Sequence, residues 1–340
     1  MEDVDLSKLD RKIIKVPRGY TYTYYTSPAS NGRPTIILFH GWPDSANLWA
    51  NVINNYLLPS DYGIVAVDCL GYGQTSKPTL HTEYAFHLLA ADAIAILDAE
   101  ELPTVISLGH DWGSFIAQRL YNFYPSRVSG LVVINVSYVS PDLPPFELEN
   151  LLELSRQMFG YGNYEYWKFF ATDEGARIMS DNLESVYALA HGSPESWLET
   201  MCKPDGARDF VSSGRTQPLL PYAEGRRKAE FMDRMARGRF NAPSCYYKAY
   251  CFGTQNESNK LVAEDNAVVK VPTLFWGGTR DMVCRPEILQ VSIEAGVLPN
   301  LTQKLVDGGH WALLAKPDTF GTDLLSWLEE THGAMGKSSL

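Results

Sequence analysis

This sequence of 340 residues has few cysteines, with no regular spacing between them, and no long apolar runs. Its five cysteines are odd in number, scattered and without a C-x-x-C pair. This pattern argues against a disulfide framework or a zinc site and favours a reducing compartment. No stretch approaches the roughly 18 apolar residues of a membrane-spanning helix. The acidic start of the chain, residues 1–5, lacks the apolar run of a signal peptide.

Positive charge is also in deficit. The chain has 29 Lys and Arg against 40 Asp and Glu, a formal net charge of −11. Such a balance argues against nucleic acid or an anionic membrane as the main partner. We therefore expect a cytoplasmic protein, monomeric or homodimeric, that binds a small molecule. The C-terminal Ser338-Ser339-Leu340 only weakly resembles the S-K-L peroxisomal address, because its middle position lacks a basic residue.

Apolar strands alternate with amphipathic helices at both ends of the chain, which predicts an open α/β sheet with parallel strands. Residues 13–16 and 20–26 are expected to form an antiparallel edge hairpin. Continuous apolar runs, typical of strands buried on both faces, predict the other strands. These runs are residues 34–39, 63–68, 104–108, 128–135, 271–276 and 301–306, and the predicted helices are 84–101, 115–124 and 317–331.

The alternation stops near residues 140–145, where prolines cluster. The following stretch is aromatic and mostly helical, and it is too long to be a loop. We therefore predict an α/β core of residues 1–139 and 268–340 with an inserted helical lid of residues 140–267. A basic run within this lid, residues 226–239, is interpreted as a solvated helix face rather than a partner-binding patch.

Asp111 stands where a predicted buried strand turns abruptly into a helix. Gly109 and Gly113 flank it at i−2 and i+2, as glycines flank serine in G-x-S-x-G, where strand and helix backbones nearly touch. A carboxylate at this place can attack a substrate directly and form an ester. The competing interpretation is that Asp111 merely caps the helix N-terminus.

Two further polar residues follow strands of their own, Asp281 after residues 271–276 and His310 after residues 301–306. Open α/β sheets place their sites beyond the carboxyl ends of strands. The chain order Asp111, Asp281, His310 is nucleophile, acid, histidine. Asp307 competes with Asp281 for the acid role. We prefer Asp281, because a separate strand end can reach the imidazole from the side and hold its tautomer.

Four motifs make the chain resemble the epoxide hydrolase branch of the α/β-hydrolase superfamily. They are His40-Gly-Trp-Pro43, Gly109-His-Asp-Trp-Gly-Ser114, Gly277-Gly-Thr-Arg-Asp281 and Gly309-His310. The resemblance covers nearly the whole chain. It implies the α/β-hydrolase fold: a mostly parallel eight-stranded sheet with helices on both faces and an inserted helical lid.

The resemblance also implies a mechanism in two steps. Asp111 opens the epoxide and becomes an alkyl ester, which water activated by His310 and Asp281 then hydrolyses to a vicinal diol. The backbone amides of Trp42 and Trp112 form the oxyanion hole, and the proline of the His40–Pro43 loop carries a cis peptide bond. Neither a metal nor a cofactor is required, and the sequence shows no metal-ligand spacing.

Epoxide hydrolases use two lid tyrosines to protonate the leaving oxygen. By resemblance Tyr247 is one of them, whereas Phe169 stands where the other is expected, so a neighbour such as Tyr166 or Tyr164 must supply the second donor or it is lost. The substrate is expected to be an apolar or aromatic epoxide of middle size. The residues expected to contact it are His40, Pro43, Tyr166, Phe169, Tyr246 and Trp311.

Two other functions stay open. A haloalkane dehalogenase uses the same aspartate ester and also carries a tryptophan after the nucleophile, matching Trp112. Its halide pocket needs a second side-chain N–H donor, often an asparagine where Trp42 stands here. The fluoroacetate branch of the dehalogenases resembles this chain less. Its acid residue follows the strand after the nucleophile, where this chain has Asn135. Alternatively, the protein binds a metabolite or steers a ring closure without hydrolysis, although a complete triad argues against a pure receptor.

Overall fold

Eight strands form one sheet in the structure, a computed structural model that describes residues 5–333. The strands are β1 (Asp10–Lys15), β2 (Thr21–Ser27), β3 (Thr35–Phe39), β4 (Gly63–Val67), β5 (Val105–His110), β6 (Val128–Ile134), β7 (Thr273–Gly278) and β8 (Leu301–Val306). Their order is β1-β2-β4-β3-β5-β6-β7-β8. Only the pairs β1–β2 and β2–β4 are antiparallel, so the predicted mostly parallel sheet with an edge hairpin is confirmed.

Burial explains why the middle strands are continuous apolar runs. Every residue of β3, β4, β5 and β7 is buried, because each strand has a neighbour on both sides and is covered on both faces. The outermost strands β1 and β8 keep exposed residues instead. The centre of the sheet is therefore a rigid platform, and the ends of its strands are well placed to carry a site.

Helices connect the parallel strands and close the chain. Those of the two sheet-forming parts are α1 (Ala50–Val52), α2 (Phe86–Ala99) and α3 (Trp112–Phe123) before residue 140, and α13 (Leu289–Glu294), α14 (Ala312–Ala315) and α15 (Pro317–His332) after β7. Among residues 5–333 no helix combines the length and apolarity needed to cross a membrane. All five cysteines are free, and residues 338–340 lie outside the described part of the chain.

Residues 140–267, between β6 and β7, contain nine α-helices and no strand, all of them within the described part of the chain. They are α4 (Leu148–Phe159), α5 (Trp167–Phe170), α6 (Asp173–Asp181), α7 (Leu183–His191), α8 (Ser196–Thr200), α9 (Gly206–Ser212), α10 (Arg226–Gly238), α11 (Ser244–Cys251) and α12 (Thr254–Asn259). We refer to residues 140–267 as the helical insertion.

Several predicted boundaries differ from the structure by one to three residues, and two of these differences lie around Ala85 and Asp111. The helix expected from residue 84 begins at Phe86, because the extended backbone of Ala85 separates it from a short 3-10 turn, His81–Tyr84. The strand expected to end at residue 108 continues to His110, and α3 starts at Trp112. The turn between them consists of Asp111 alone.

Glycines make this sharp turn sterically feasible. A Cβ on Gly109 would lie 2.0 Å from the carbonyl oxygen of Gly113, and one on Gly113 would lie 1.9 Å from the carbonyl oxygen of Phe39. Both distances are far below van der Waals contact, so β5, α3 and β3 approach backbone to backbone at this point. The two glycines flanking Asp111 are required by this packing.

Gly113→Ala is therefore expected to destabilise the fold by about 3 kcal/mol or more, because the added methyl group meets backbone that cannot move aside. Urea denaturation of the purified protein measures this change. Gly238→Ala is the matched control, since its Cβ would meet only the flexible Lys77 side chain at 3.4 Å. Equal stability of the two variants would contradict the close backbone packing.

Candidate active site

Asp111 has a backbone conformation that non-glycine residues rarely adopt. Its φ is 55° and its ψ is −125°, a strained combination of the kind that clusters at functional sites. The residue occupies the N-cap position of α3, but its side chain makes no capping hydrogen bond. Instead, Oδ1 accepts a hydrogen bond of 2.7 Å from the amide of Trp42. The strained turn thus presents the carboxylate to the loop after β3.

The loop after β3 reaches Asp111 because of a third glycine. A Cβ on Gly41 would lie 2.2 Å from Oδ1 of Asp111, so a side chain there would displace the carboxylate. The next residue, Trp42, donates its amide to that oxygen, and the peptide bond from Trp42 to Pro43 is cis. The Trp112 amide also lies close enough to the carboxylate to lower its pKa. Both amides predicted for the oxyanion hole therefore face the same group.

His310 and Asp281 form a tight pair beside this carboxylate. Nδ1 of His310 lies 2.7 Å from Oδ2 of Asp281, and Nε2 lies 3.7 Å from Oδ2 of Asp111. The second distance is too long for a direct hydrogen bond. The other Asp281 oxygen, Oδ1, accepts hydrogen bonds from the amides of Val283 at 3.0 Å and Cys284 at 2.9 Å. Asp281 is thus held from its own loop and turned toward the imidazole.

Burial and mutual charge set the protonation of these groups. Burial raises the pKa of Asp111, although His310 and the amides of Trp112 and Trp42 oppose it. For Asp281, burial favours the neutral form, but the charge and hydrogen bond of His310 outweigh it and the pKa is lowered. For His310, burial disfavours the cation, yet Asp281 and Asp111 raise its pKa above 6.5. The two carboxylates therefore stabilise the charged imidazolium form of His310 once it accepts a proton.

The position of His310 depends on residues that the sequence analysis did not select for this role. Its carbonyl oxygen accepts hydrogen bonds from His110 Nε2 at 3.0 Å and from the amide group of Asn135. Oδ1 of Asn135 in turn accepts from the amide of Gly278 at 3.1 Å, and the Trp197 ring lies 5.3 Å from the imidazole. Asn135 ends a buried strand, and His110 precedes Asp111. In the sequence, only these positions indicated that Asn135 and His110 lie near His310.

Tyr247 packs against both tryptophans whose amides face Asp111. Its ring packs edge-on against Trp112 at 4.9 Å and against Trp42 at 6.5 Å. Burial and the charge of Asp111 raise the pKa of Tyr247 well above 10. The Tyr166 ring lies 5.9 Å away, and burial together with Tyr247 likewise raises the pKa of Tyr166. Both phenols therefore keep their protons at neutral pH and are available as donors.

The other residues predicted to contact substrate have their polar atoms engaged. The Tyr246 hydroxyl donates to the Leu70 carbonyl at 3.0 Å, and Trp311 Nε1 donates to Ala190 at 2.9 Å. His40 binds the Cys69 amide and the Gly41 carbonyl through its two ring nitrogens. The carbonyl of Pro43 accepts from Arg234, and Phe169 is buried with its ring 5.9 Å from that of Phe170.

One group of potential metal ligands lies in the same place. Atoms of Asp281, Cys284 and His310 lie within 4.8 Å of one another. The imidazole and the carboxylate already share a hydrogen bond, and burial raises the pKa of the Cys284 thiol well above its ordinary range. A protonated thiol is a poor metal ligand, so the arrangement fits proton transfer better than metal binding.

Comparison with known proteins identifies the family of this chain and several of its relatives. The profile of the alpha/beta hydrolase fold family matches residues 34–317. The mouse (Mus musculus) protein named bifunctional epoxide hydrolase 2 is 25% identical over 297 residues, covering 87% of this chain and 52% of the relative. Epoxide hydrolase B of Mycobacterium tuberculosis is 26% identical over 337 residues, covering 89% and 93% respectively. The chain spans about half the length of the mammalian relatives it matches.

Solved structures share the fold. The crystal structure of epoxide hydrolase A from Mycobacterium thermoresistibile superposes with a TM-score of 0.77 at 23% identity, covering 94% of this chain and 98% of the other. The epoxide hydrolase from an endophytic Streptomyces gives a TM-score of 0.78 at 22% identity, covering 95% and 96%. At these identities the comparison shows the fold alone, and it is the fold predicted from the sequence.

The pKa of His310 is expected to fall by roughly one unit or more in Asp281→Asn, because the variant removes the neighbouring charge that most favours the imidazolium. NMR titration of the imidazole C2–H signal, assigned by its loss in His310→Gln, measures the shift. Asp307→Asn is the matched control, since Asp307 is 71% exposed and pairs with Arg280 at 3.7 Å. A larger shift in the control would favour Asp307 as the partner of His310.

Proposed function

We propose, because the chain belongs to the alpha/beta hydrolase fold family, that it opens epoxides to vicinal diols through an ester on Asp111. One observation carries the proposal. The Asp111 carboxylate is held by the Trp42 amide at 2.7 Å on one oxygen, while its other oxygen lies 3.7 Å from His310 Nε2. The names of the relatives, epoxide hydrolases from mouse and M. tuberculosis, agree with it.

In the first step, a carboxylate oxygen of Asp111 attacks an epoxide carbon. A new C–O ester bond forms, the ring C–O bond breaks, and the ring oxygen takes the electron pair together with a proton from a phenol. Proton donation is needed because an alkoxide is a poor leaving group at neutral pH. Tyr247 is the proposed donor, since its ring packs on Trp112 beside the carboxylate.

Tyr166 is the proposed second proton donor, because the phenylalanine at position 169 has no hydroxyl group to donate from. Its ring is 5.9 Å from that of Tyr247, and Asp111 is among the charges that raise its pKa. The Tyr164 ring instead packs against Trp167, with 5.1 Å between the two rings. Of the two neighbours considered from the sequence, the structure favours Tyr166.

In the second step, His310 takes a proton from water, and the hydroxide attacks the ester carbonyl carbon of Asp111. The carbonyl oxygen becomes an oxyanion, which the amides of Trp42 and Trp112 stabilise because they are already oriented toward it. Asp281 stabilises the imidazolium that forms. Collapse of the intermediate breaks the ester bond, and the imidazolium of His310 gives its proton to the departing alkoxide to complete the diol. The carboxylic acid left on Asp111 then gives its proton to the phenolate formed in the first step, which restores both groups.

The substrate class follows from the walls around Asp111. Trp42, Trp112 and Tyr247 pack together there, and two further aromatic rings of the helical insertion, Trp167 and Phe170, lie 5.5 Å and 5.2 Å from Tyr247. Such walls suit an apolar or aromatic epoxide of middle size.

The helical insertion would act as the lid on a core of residues 1–139 and 268–340. The protein would be a cytoplasmic monomer or homodimer.

The decisive experiment is the intact mass of His310→Gln after mixing with aryl and alkyl epoxides. The variant keeps the nucleophile but lacks the base for the second step, so it should gain the mass of one substrate. The double variant Asp111→Ala, His310→Gln should gain none. No adduct with any epoxide, or an equal adduct in the double variant, would overturn the proposal.

A dehalogenase remains a second candidate because of one observation. Within residues 5–333 the indole N–H of Trp42 is buried without a hydrogen-bond partner, and that of Trp112 is buried facing the Tyr247 hydroxyl. The two donors could stabilise a departing halide, and Trp42 would take the place of the asparagine expected there. The same mass experiment with haloalkanes tests this: an adduct accompanied by halide release, without one from epoxides, would favour dehalogenation.

Tyr247→Phe and Tyr166→Phe should each slow ester formation by about tenfold or more and leave ester hydrolysis nearly unchanged, because the phenols act only on the first step. Rapid-quench mass spectrometry separates the two rates. Tyr164→Phe removes a buried hydroxyl from the same segment and should leave ester formation at the wild-type rate. Equal slowing of both steps would count against the donor role.

A further inference from the structure

Helix α10 carries the basic run that the sequence analysis interpreted as a solvated face. Only part of it is solvated. Arg237 is 74% exposed and pairs with Asp233 on the same helix. Arg227, Glu230 and Arg234 recur at i, i+3 and i+7 and therefore share a face, and this face contacts the loop that follows β3. The interpretation holds for the outer residues but not for this inner face.

Arg234 makes the most specific of these contacts. Its guanidinium donates to the carbonyl oxygen of Pro43 at 2.8 Å and to the hydroxyl of Ser45 at 3.0 Å. A planar, forked donor that binds two acceptors fixes their relative position as well as their distance. Pro43 directly follows Trp42, whose amide holds the Asp111 carboxylate. A single side chain of the helical insertion is thus one residue away from the proposed oxyanion donor.

Neighbouring contacts strengthen the same connection. Arg227 lies 3.8 Å from the buried carboxylate of Asp44. Burial favours neutral Asp44, but the charges of Arg227 and Arg234 outweigh it and lower its pKa. Glu230 accepts a hydrogen bond of 2.8 Å from Asn47. Charge and hydrogen bonding therefore both hold α10 on this loop.

The opposite side of the loop is held by the sheet-forming part of the chain. His40 accepts from the Cys69 amide at 3.0 Å, and the Ala46 amide donates to Asp68 at 3.0 Å. These two bonds fix the ends of residues 40–46. The middle, Pro43 to Ser45, is held by the hydrogen bonds from Arg234 and the nearby charge of Arg227, together with a turn in which the Asp44 amide donates to the Gly41 carbonyl at 3.0 Å. The Trp42 amide thus sits between a fixed end and a part held by α10.

We propose that Arg234 is a positioning residue that holds the Trp42 amide in place for hydrolysis of the Asp111 ester. The inference rests on the proposed ester mechanism and adds a dependence of its second step on the helical insertion. When α10 is seated, the amide is oriented for the oxyanion. When α10 moves away, the loop loses both hydrogen bonds from Arg234 and keeps its internal turn bond from the Asp44 amide to the Gly41 carbonyl, so the donor is less firmly oriented.

The two chemical steps should respond differently. During ester formation the carboxylate loses charge, so the amide has little developing charge to stabilise. During ester hydrolysis the carbonyl oxygen gains a full negative charge, and a preoriented donor matters most. Loss of Arg234 should therefore change the ratio of the two rates, whereas a merely unstable protein would lower the active fraction and leave that ratio unchanged.

The test is the steady-state fraction of covalent ester in Arg234→Met, with an epoxide that forms an adduct with His310→Gln. We expect hydrolysis to slow about tenfold relative to formation, less than the roughly hundredfold cost of losing a whole oxyanion donor. Ester should then accumulate in Arg234→Met and stay low in wild type. Arg237→Met removes a cation from the outer side of the same helix and should keep the wild-type ratio.

Two further variants keep the test decisive if Arg234→Met folds poorly. Ser45→Ala removes one acceptor and should shift the ratio in the same direction by a smaller factor, and Arg234→Lys should fall between Met and wild type. An unchanged ratio in the Arg234 and Ser45 variants, or an equal shift in Arg237→Met, would overturn the inference. If His310→Gln forms no ester, the proposed function fails instead, so the two failures are distinguishable.

Discussion

The hydrogen bond between the Trp42 amide and the Asp111 carboxylate is the interaction on which the rest of the site depends. It requires β3 and β5 to end side by side and their following segments to meet almost in contact. Glycines at positions 41, 109 and 113 make that approach feasible. The sheet thus supplies the close packing, and this packing holds Asp111 in a strained backbone conformation with its carboxylate facing the loop after β3.

Burial gives the charges of the site their strength. Asp111, Asp281 and His310 are all almost fully excluded from water, so each group responds strongly to the others. Asp281 is supported by two backbone amides and the imidazole, which keep it ionised. Asp111 has amide donors as well, yet its pKa is raised. One carboxylate is therefore stabilised as a fixed charge, while the other is left more reactive.

The helical insertion contributes to this site in two ways. From one side it brings aromatic rings and two protonated phenols over the carboxylate. From another side, the guanidinium of Arg234 donates hydrogen bonds to the loop that carries the Trp42 amide. Substrate enclosure and orientation of the oxyanion donor would then depend on the same body of helices. This arrangement links the seating of the insertion to the proposed chemistry.

The sequence by itself determined the sheet, its hairpin and the three strand ends that carry Asp111, Asp281 and His310. These features follow from local patterns of apolar runs and the residues after them, so they could be predicted without knowing the packing. Only the tertiary structure decided which residues position them. His110 reaches the His310 carbonyl across 200 positions, and Arg234 reaches Pro43 across 191. An arginine and an acidic residue occur both on the inner side of α10, at Arg234 and Glu230, and on its outer side, at Arg237 and Asp233, so the charge pattern alone did not single out Arg234. Which face turns inward depends on how the helical insertion packs on the sheet, and that packing is set by contacts distant in the chain.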